Sequence, residues 1–249
     1  MKTQRYFRKF LAVMVVLAMF FSVASSVALA AASEQSLPFV DVDSQDWFYE
    51  HVRDMFERGV MIGMDAETFA PDRNVTRAMA AQTLYNLEGR PDVSWMPNPF
   101  SDVSPDAWYH DAVVWAAWRS IISGFGDGTF APGEYITRAH LTILLDNDTR
   151  SWVLRLPTLR PAPFFIDDAD IRSYAREAID RFFRAMLING RPDGRFDPQG
   201  SATRAELATM LSGFVVLRED PANRPPQPPY GFPPDPPPMP EYGFFHEDF

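Results

Sequence analysis

"IISGFGDGTFAPGEYITRAH", residues 121–140, decides the fold, because its parts recur twice elsewhere in the same order. Its first half matches "VMIGMDAETFAP" (60–71) and "LINGRPDGRFDP" (187–198). Its end, Thr137-Arg138-Ala139, returns as Thr76-Arg77-Ala78 and Thr203-Arg204-Ala205. Upstream, "FSDVSPDAWY" (100–109) has a close copy in "FVDVDSQDWF" (39–48) and a weaker one in "FIDDADIRSY" (165–174). Gly63, Gly124 and Gly190 lie 61 and 66 residues apart, and Phe69, Phe130 and Phe196 repeat both spacings. Three blocks in one order are a tandem triplication.

Each repeat reads as helix, loop, helix. Ser104 before Pro105 and Asp106 is a strong start signal, so the first helix is expected to open there, with Asp43 as the equivalent cap in the first repeat. Apolar residues follow at helical spacing: Trp108, Val113, Trp115 and Ala116, or Trp47, Val52, Met55 and Phe56. The helix is expected to end near Gly59 or its counterpart Ser120. Asp127-Gly128 and Asp193-Gly194 supply turns, and Ala66-Glu67 must turn differently. The second helix begins at Thr-Arg-Ala. Leu207, Met210, Leu211 and Phe214 give it an i, i+3, i+4, i+7 stripe, and Leu141, Leu144 and Leu145 or Ala80, Leu84 and Leu87 do the same in the other copies. One such pair cannot bury its own face, but three can.

Thr76, Thr137 and Thr203 are helix caps on this reading. Only Thr203 has a glutamate three residues on, so Glu206 alone completes a capping box; Met79 and His140 stand in its place. Caps do not explain Arg77, Arg138 and Arg204, since a cation at a helix start opposes the dipole. Two roles stay open. Each guanidinium could form an anion pocket with free helix-start amides, or a salt bridge with Asp41, Asp102 or Asp167 of a neighbouring repeat.

The flanks are of another kind. Lys2, Arg5, Arg8 and Lys9 precede an apolar run and Ala28-Leu29-Ala30, so residues 1–30 are expected to be a cleaved secretory signal. Beyond Ala30 the chain has 19 arginines, no lysine and 33 acids, a formal charge of −14. That balance argues against nucleic acid, and no membrane association is expected after cleavage. With no cysteine there are no disulfides or thiolate sites. The proline-rich segment 218–249 favours polyproline II and is expected to be a disordered tail or spacer.

Taken together, "FSDVSPDAWYHDAV…IISGFGDGTFAPGEYITRAH" resembles the S-layer homology (SLH) motif. Three copies cover 39–90, 100–152 and 165–217. The resemblance implies an all-α fold of three helix-loop-helix repeats in a pseudo-threefold arrangement around a central three-helix bundle. It also implies noncovalent anchoring to the cell wall. Anionic, typically pyruvylated, secondary wall polysaccharide or another peptidoglycan-linked polymer would bind in grooves between motifs, at the cell surface or S-layer. Arg77, Arg138 and Arg204 are the implied anion contacts, with the Arg138 groove the first choice. Asp41, Asp102 and Asp167 would line the grooves, and Gly126, Asp127 and Asp193 belong to the loop beside them. Trp47 and Trp108 could offer a sugar-facing edge, although core packing is the ordinary role for tryptophan at this spacing. Removing Arg138 is expected to weaken wall binding and leave the thermal melt nearly unchanged. The alternative function is a surface adaptor presenting the proline-aromatic tail to a protein partner. No catalytic residues, metal or cofactor are expected, because the repeats occupy nearly all the sequence between leader and tail and the histidines lack metal-ligand spacing.

Overall fold

The computed structural model describes residues 37–223, so the proposed signal and most of the proline-rich tail lie outside the described residues. Six α-helices appear, two per repeat: α1 Tyr49–Glu57, α2 Arg77–Leu87, α3 His110–Trp118, α4 Arg138–Ser151, α5 Ser173–Arg184 and α6 Arg204–Glu219. Among the described residues there is no strand, only single bridges between Asn74 and Thr203, Thr76 and Tyr135, and Thr137 and Ser201. The fold is all-α, as read from the sequence. No described helix is long and apolar enough to cross a membrane. Helix α6 runs two residues beyond 217, and Arg218 there pairs with Glu88.

The second helices start where the threonines place them. Thr76, Thr137 and Thr203 are extended N-caps whose hydroxyls accept from the amides of Met79, His140 and Glu206. Glu206 returns a bond, its Oε2 accepting from Thr203 N at 3.0 Å, so α6 alone carries the full box.

The first helices start later than expected. Ala107 N donates to Ser104 O, and His110 N to Ala107 O, making two successive tight turns before α3. Asp43 and Asp46 lead into α1 in the same way. Asp43 and Ser104 therefore cap these turns, through Gln45 N and Asp106 N, and not the helices. Trp47 and Trp108 sit in the turns and escape the helical register that would bury them. Each is 64% exposed, which corrects the expectation of core packing. The neighbour Phe48 is buried instead.

The described helix ends follow one scheme, α6 excepted. After α1, Gly59 N donates to Phe56 O and Val60 N to Met55 O, with Gly59 at φ +67. These are the paired bonds of a Schellman motif. Ser120 and Met186 make the same pair after α3 and α5, holding φ +56 and +61 without glycine.

The extensive helix–helix contacts join α2 to α3, α4 to α5, and α6 to α1. Each first helix thus packs on the second helix of the repeat before it, and the last pairing returns to the first repeat. This cyclic order is what a pseudo-threefold assembly requires, and that assembly around α2, α4 and α6 is retained as a proposal. Leu84, Leu141, Leu144, Leu145, Leu207, Leu211 and Phe214 are buried on the second helices, where the stripes predicted them.

The repeated glycine has a steric cause. A Cβ on Gly124 would lie 2.4 Å from Phe100 Cε1 and 2.4 Å from Thr129 O; on Gly63 it would meet Phe39 and Asp65 O, and on Gly190, Phe165 and Arg195 O. The motif's opening phenylalanine lies on the glycine, so the two must repeat together. Because a backbone oxygen cannot swing aside, Gly124→Ala should cost about 2 kcal/mol, near the middle of the overpacking range. Urea denaturation would measure it, and a loss under 0.5 kcal/mol would contradict this packing.

Candidate functional site

The three arginines share one arrangement. Arg77 Nε donates to Phe130 O at 2.8 Å and Nη2 to Ser123 O at 2.7 Å. Arg138 does the same with Phe196 O and Asn189 O, and Arg204 with Phe69 O and Ile62 O. Each guanidinium also lies over that phenylalanine's ring, at 4.7, 5.0 and 4.4 Å. Every arginine therefore binds the loop of the next repeat, and the third binds the first.

The aspartates hold the same phenylalanines from the other side. Asp102 accepts from Phe130 N and Ala131 N at 2.7 Å each. Asp41 accepts from Phe69 and Ala70, and Asp167 from Phe196 and Asp197. One carboxylate thus takes the amide of the phenylalanine while a neighbour's guanidinium takes its carbonyl. Ala70, Ala131 and Asp197, which follow the phenylalanines, all have φ near +55 to +60. The doubly bonded loop holds a conformation that costs a non-glycine residue on the order of 1 kcal/mol.

The salt bridges left open for the arginines are corrected, and so are the free amides of the anion pocket. None pairs with Asp41, Asp102 or Asp167, whose oxygens face backbone amides. Nor are the helix-start amides free. Arg77 N and Ala78 N donate to Glu134 O and Pro132 O, Arg138 N and Ala139 N to Gly200 O and Pro198 O, and Arg204 N and Ala205 N to Arg73 O and Pro71 O. The third amide of each helix goes to its threonine. Removing Arg138 should therefore lower the melt, against the expectation from sequence, since it makes three hydrogen bonds.

The remaining guanidinium nitrogen, Nη1, distinguishes the sites. At Arg138 it donates to Glu206 Oε1 at 2.6 Å, an ion pair with both side chains largely covered. Arg191 approaches the same oxygen at 3.4 Å and pairs with Asp197 at 2.7 Å. At Arg77 and Arg204, Nη1 has no acceptor among the described residues. Burial lowers both from the usual arginine value to about 10, which leaves them charged at neutral pH. Burial also lowers Arg138, against the pull of Glu206. His140, the counterpart of Glu206, stacks on Tyr174 with centroids 5.9 Å apart. Its Nδ1 lies 3.1 Å from Thr137 Oγ1 and its Nε2 3.3 Å from Tyr174 Oη. Burial holds its pKa below the ordinary histidine value, with Arg77 and Arg172 adding to that.

A cavity of about 390 Å³ opens at Arg138 and is lined by Trp47, Asn189, Arg191, Glu206 and Met210 among others. All three repeats contribute to it. It brings together Trp47, Arg138 and Glu206 of the sequence-predicted residues. The loop residues lie apart from it: Gly126 is exposed, Asp127 accepts from Thr129 N and Oγ1, and Asp193 accepts from Arg195 N. Those hydroxyl and amide bonds hold the Asp127 carboxyl below the usual range. Sequence reading missed Arg191 and Asn189. Arg191 occupies the position filled by Met64 and Phe125 in the other copies, so only a comparison of repeats could have singled it out.

A family profile described as "S-layer homology domain" matches residues 38–81, 99–142 and 166–208, more than half of the chain. The chain belongs to this family. The first two SLH matches begin one residue before the loop-packing phenylalanines, and all three end within the second helices, so they take in the arginine–phenylalanine–aspartate clamp. Among similar proteins, an endoglucanase of Bacillus sp. (strain KSM-635) is 28% identical over 74% of this chain and 19% of its own length. The surface-layer 125 kDa protein of Lysinibacillus sphaericus is 27% identical over 86% of this chain and 18% of its own. The cellulosome-anchoring protein of Acetivibrio thermocellus is 28% identical over 60% of this chain and 34% of its own. The SLH chain thus matches about a third or less of the length of each of these relatives.

Proposed function

We propose that this SLH triplet anchors the protein noncovalently to the cell wall, at the cell surface, by binding an anionic secondary wall polysaccharide, of the pyruvylated kind, in the clefts between repeats. The observation that carries the reading is the cleft at Arg138. There an indole that local sequence would have buried stands 64% exposed beside arginine, asparagine and glutamate side chains. An exposed indole edge with polar groups around it suits a sugar ring, whose apolar face can lie on the aromatic while its hydroxyls find donors and acceptors. Trp108 is equally exposed, so a second contact on the same polymer would add avidity. Names among the relatives, a surface-layer protein and a cellulosome-anchoring protein, agree with a surface role. The endoglucanase activity belongs to a protein of which this chain matches 19%; no catalysis is proposed here.

Co-sedimentation with purified wall sacculi tests this. The protein should pellet with native sacculi and stay in solution with sacculi stripped of secondary polymer. The W47A/W108A variant should bind at least tenfold more weakly with an unchanged melt, since both side chains are exposed. Equal retention on stripped sacculi would overturn the reading. Deleting residues 224–249 should leave retention intact; its loss would place wall binding in the tail and not in the repeats.

A further inference from the structure

A pair of tryptophans stands at the surface outside the Arg138 cleft. Trp95 is 50% exposed and meets Trp118 at 5.5 Å between ring centroids, with the planes at 72°. Neither lines the cavity. Trp118 ends α3, and Trp95 lies in the connection between the first two repeats. That connection is pinned at several points. Tyr85 Oη donates to Pro91 O at 2.7 Å, Met96 N to Val93 O, and Trp118 Nε1 to Pro97 O at 3.0 Å. The two indoles therefore form a fixed corner. Trp95 Nε1 has no acceptor among the described residues.

Two planes set nearly at right angles suit a ridge with two faces better than a flat sugar ring. Polyproline II offers such a ridge, since every third side chain shares a face, and aromatic-lined grooves recognise it. The segment 224–249 carries Pro-Pro-x-Pro-Pro twice, with Gln227 and Asp235 at x. As polyproline II, the second run would put Pro233 and Pro236 on one face and Pro234 and Pro237 on the next. Asp235 would share the third face with Pro238, away from the indoles. Proline has no N–H, so the carbonyls of such a run find no donor within it and can accept from an indole.

Reach supports the same occupant. Asn223 O accepts from Arg155 N at 3.2 Å. Arg155 is four residues from Ser151, at most about 14 Å of extended chain. Ser151 Oγ accepts from Nη2 of Arg119, the neighbour of Trp118, at 3.3 Å. Pro233–Pro238 lies ten to fifteen residues beyond Asn223, about 30–45 Å as polyproline II, enough for this path.

We propose that the Trp95–Trp118 corner docks this chain's own proline-rich segment, with Pro233–Pro237 seated between the indoles and one of its carbonyls accepting from Trp95 Nε1. The corner is thus a polyproline site, separate from the cleft assigned to the wall polymer.

The chain has no cysteine, so Glu241→Cys gives a single labelling site in the full protein. A nitroxide there should broaden the Trp95 and Trp118 indole N–H signals in NMR spectra, assigned through W95F and W118F. Replacing Pro233, Pro234, Pro236 and Pro237 by serine should reduce that broadening at least fivefold. W95A should reduce it as much at Trp118, with an unchanged melt because Trp95 is exposed. Absent broadening, or broadening equal in the serine variant, would overturn the docking, since a tail that only samples the surface gives the second result. Mixing a nitroxide-bearing, NMR-silent copy with isotope-labelled, unmodified protein should leave both signals sharp. Broadening in that mixture would assign the corner to a second copy's tail and overturn the assignment. Solubilised wall polymer should leave the nitroxide effect in place, and its loss would make the corner a glycan site instead.

Discussion

Replacing Asp148 by asparagine should make the protein more stable at pH 8 than at pH 5, relative to wild type, by about 2–3 kcal/mol. Asp148 lies in α4, fully buried, and neither carboxyl oxygen has a hydrogen-bond partner. Burial is the main cause that raises its pKa from 3.8 to about 7, and Glu88 adds to the shift. Arg218 and Arg119 pull the other way, but Arg218 is already bonded to Glu88 through Nη1 and Nη2. The sign follows from linkage. A carboxyl with a raised folded pKa binds its proton more tightly in the native state. Its favourable contribution is complete below the unfolded pKa near 4 and is lost as pH rises towards 7. Each unit is worth 1.36 kcal/mol, and about two units are crossed between pH 5 and 7. An asparagine has no proton to lose, so the gap between D148N and wild type should widen over that window. Urea unfolding at both pH values measures it; a gap that does not change with pH would show that Asp148 is solvated or paired.

The second large effect concerns Arg204. Its alanine variant should lose about 3 kcal/mol, which for a domain of this size corresponds to roughly 6–12 °C in Tm. The side chain is nearly covered, lies over Phe69, and donates to Phe69 O and Ile62 O. Truncation strands the covered Phe69 carbonyl, loses the bond to Ile62 O and leaves a gap against the ring, the stranded carbonyl and the gap each costing on the order of 1–3 kcal/mol. Arg204→Lys should recover little, since one ammonium cannot reproduce a planar fork aimed at two oxygens. A melt within 2 °C of wild type would show that the third repeat is not clamped to the first in this way. It follows that weak wall binding by arginine variants of this protein needs a melt beside it before it is read as a lost ligand contact.

Several features were legible beforehand because they are written within a few residues. The triplication, the threonine caps, the Thr203–Glu206 box and the leucine stripes depend on bonds and faces that close inside one or two helical turns. The first-helix starts were misplaced because Ser-Pro-Asp signals a turn of helical hand without saying whether an α-helix or a tight turn follows. That shift of about five residues is what put Trp47 and Trp108 in solvent when their spacing suggested burial.

Sequence alone therefore determined that this chain is three copies of a helix-loop-helix unit, where its second helices begin, and which faces they bury. It could also show that an arginine recurs where the helix dipole disfavours one. Only the tertiary structure decided what that arginine does, because its partners lie far along the chain: 46 residues from Arg77 to Ser123 and 142 from Arg204 to Ile62. The same holds for Glu206, which serves as a local cap through one oxygen and as the counter-ion of Arg138, 68 residues away, through the other. A carboxylate has two oxygens and a guanidinium three nitrogens. Local sequence accounts for one oxygen of Glu206, and the packing of neighbouring repeats allots the rest.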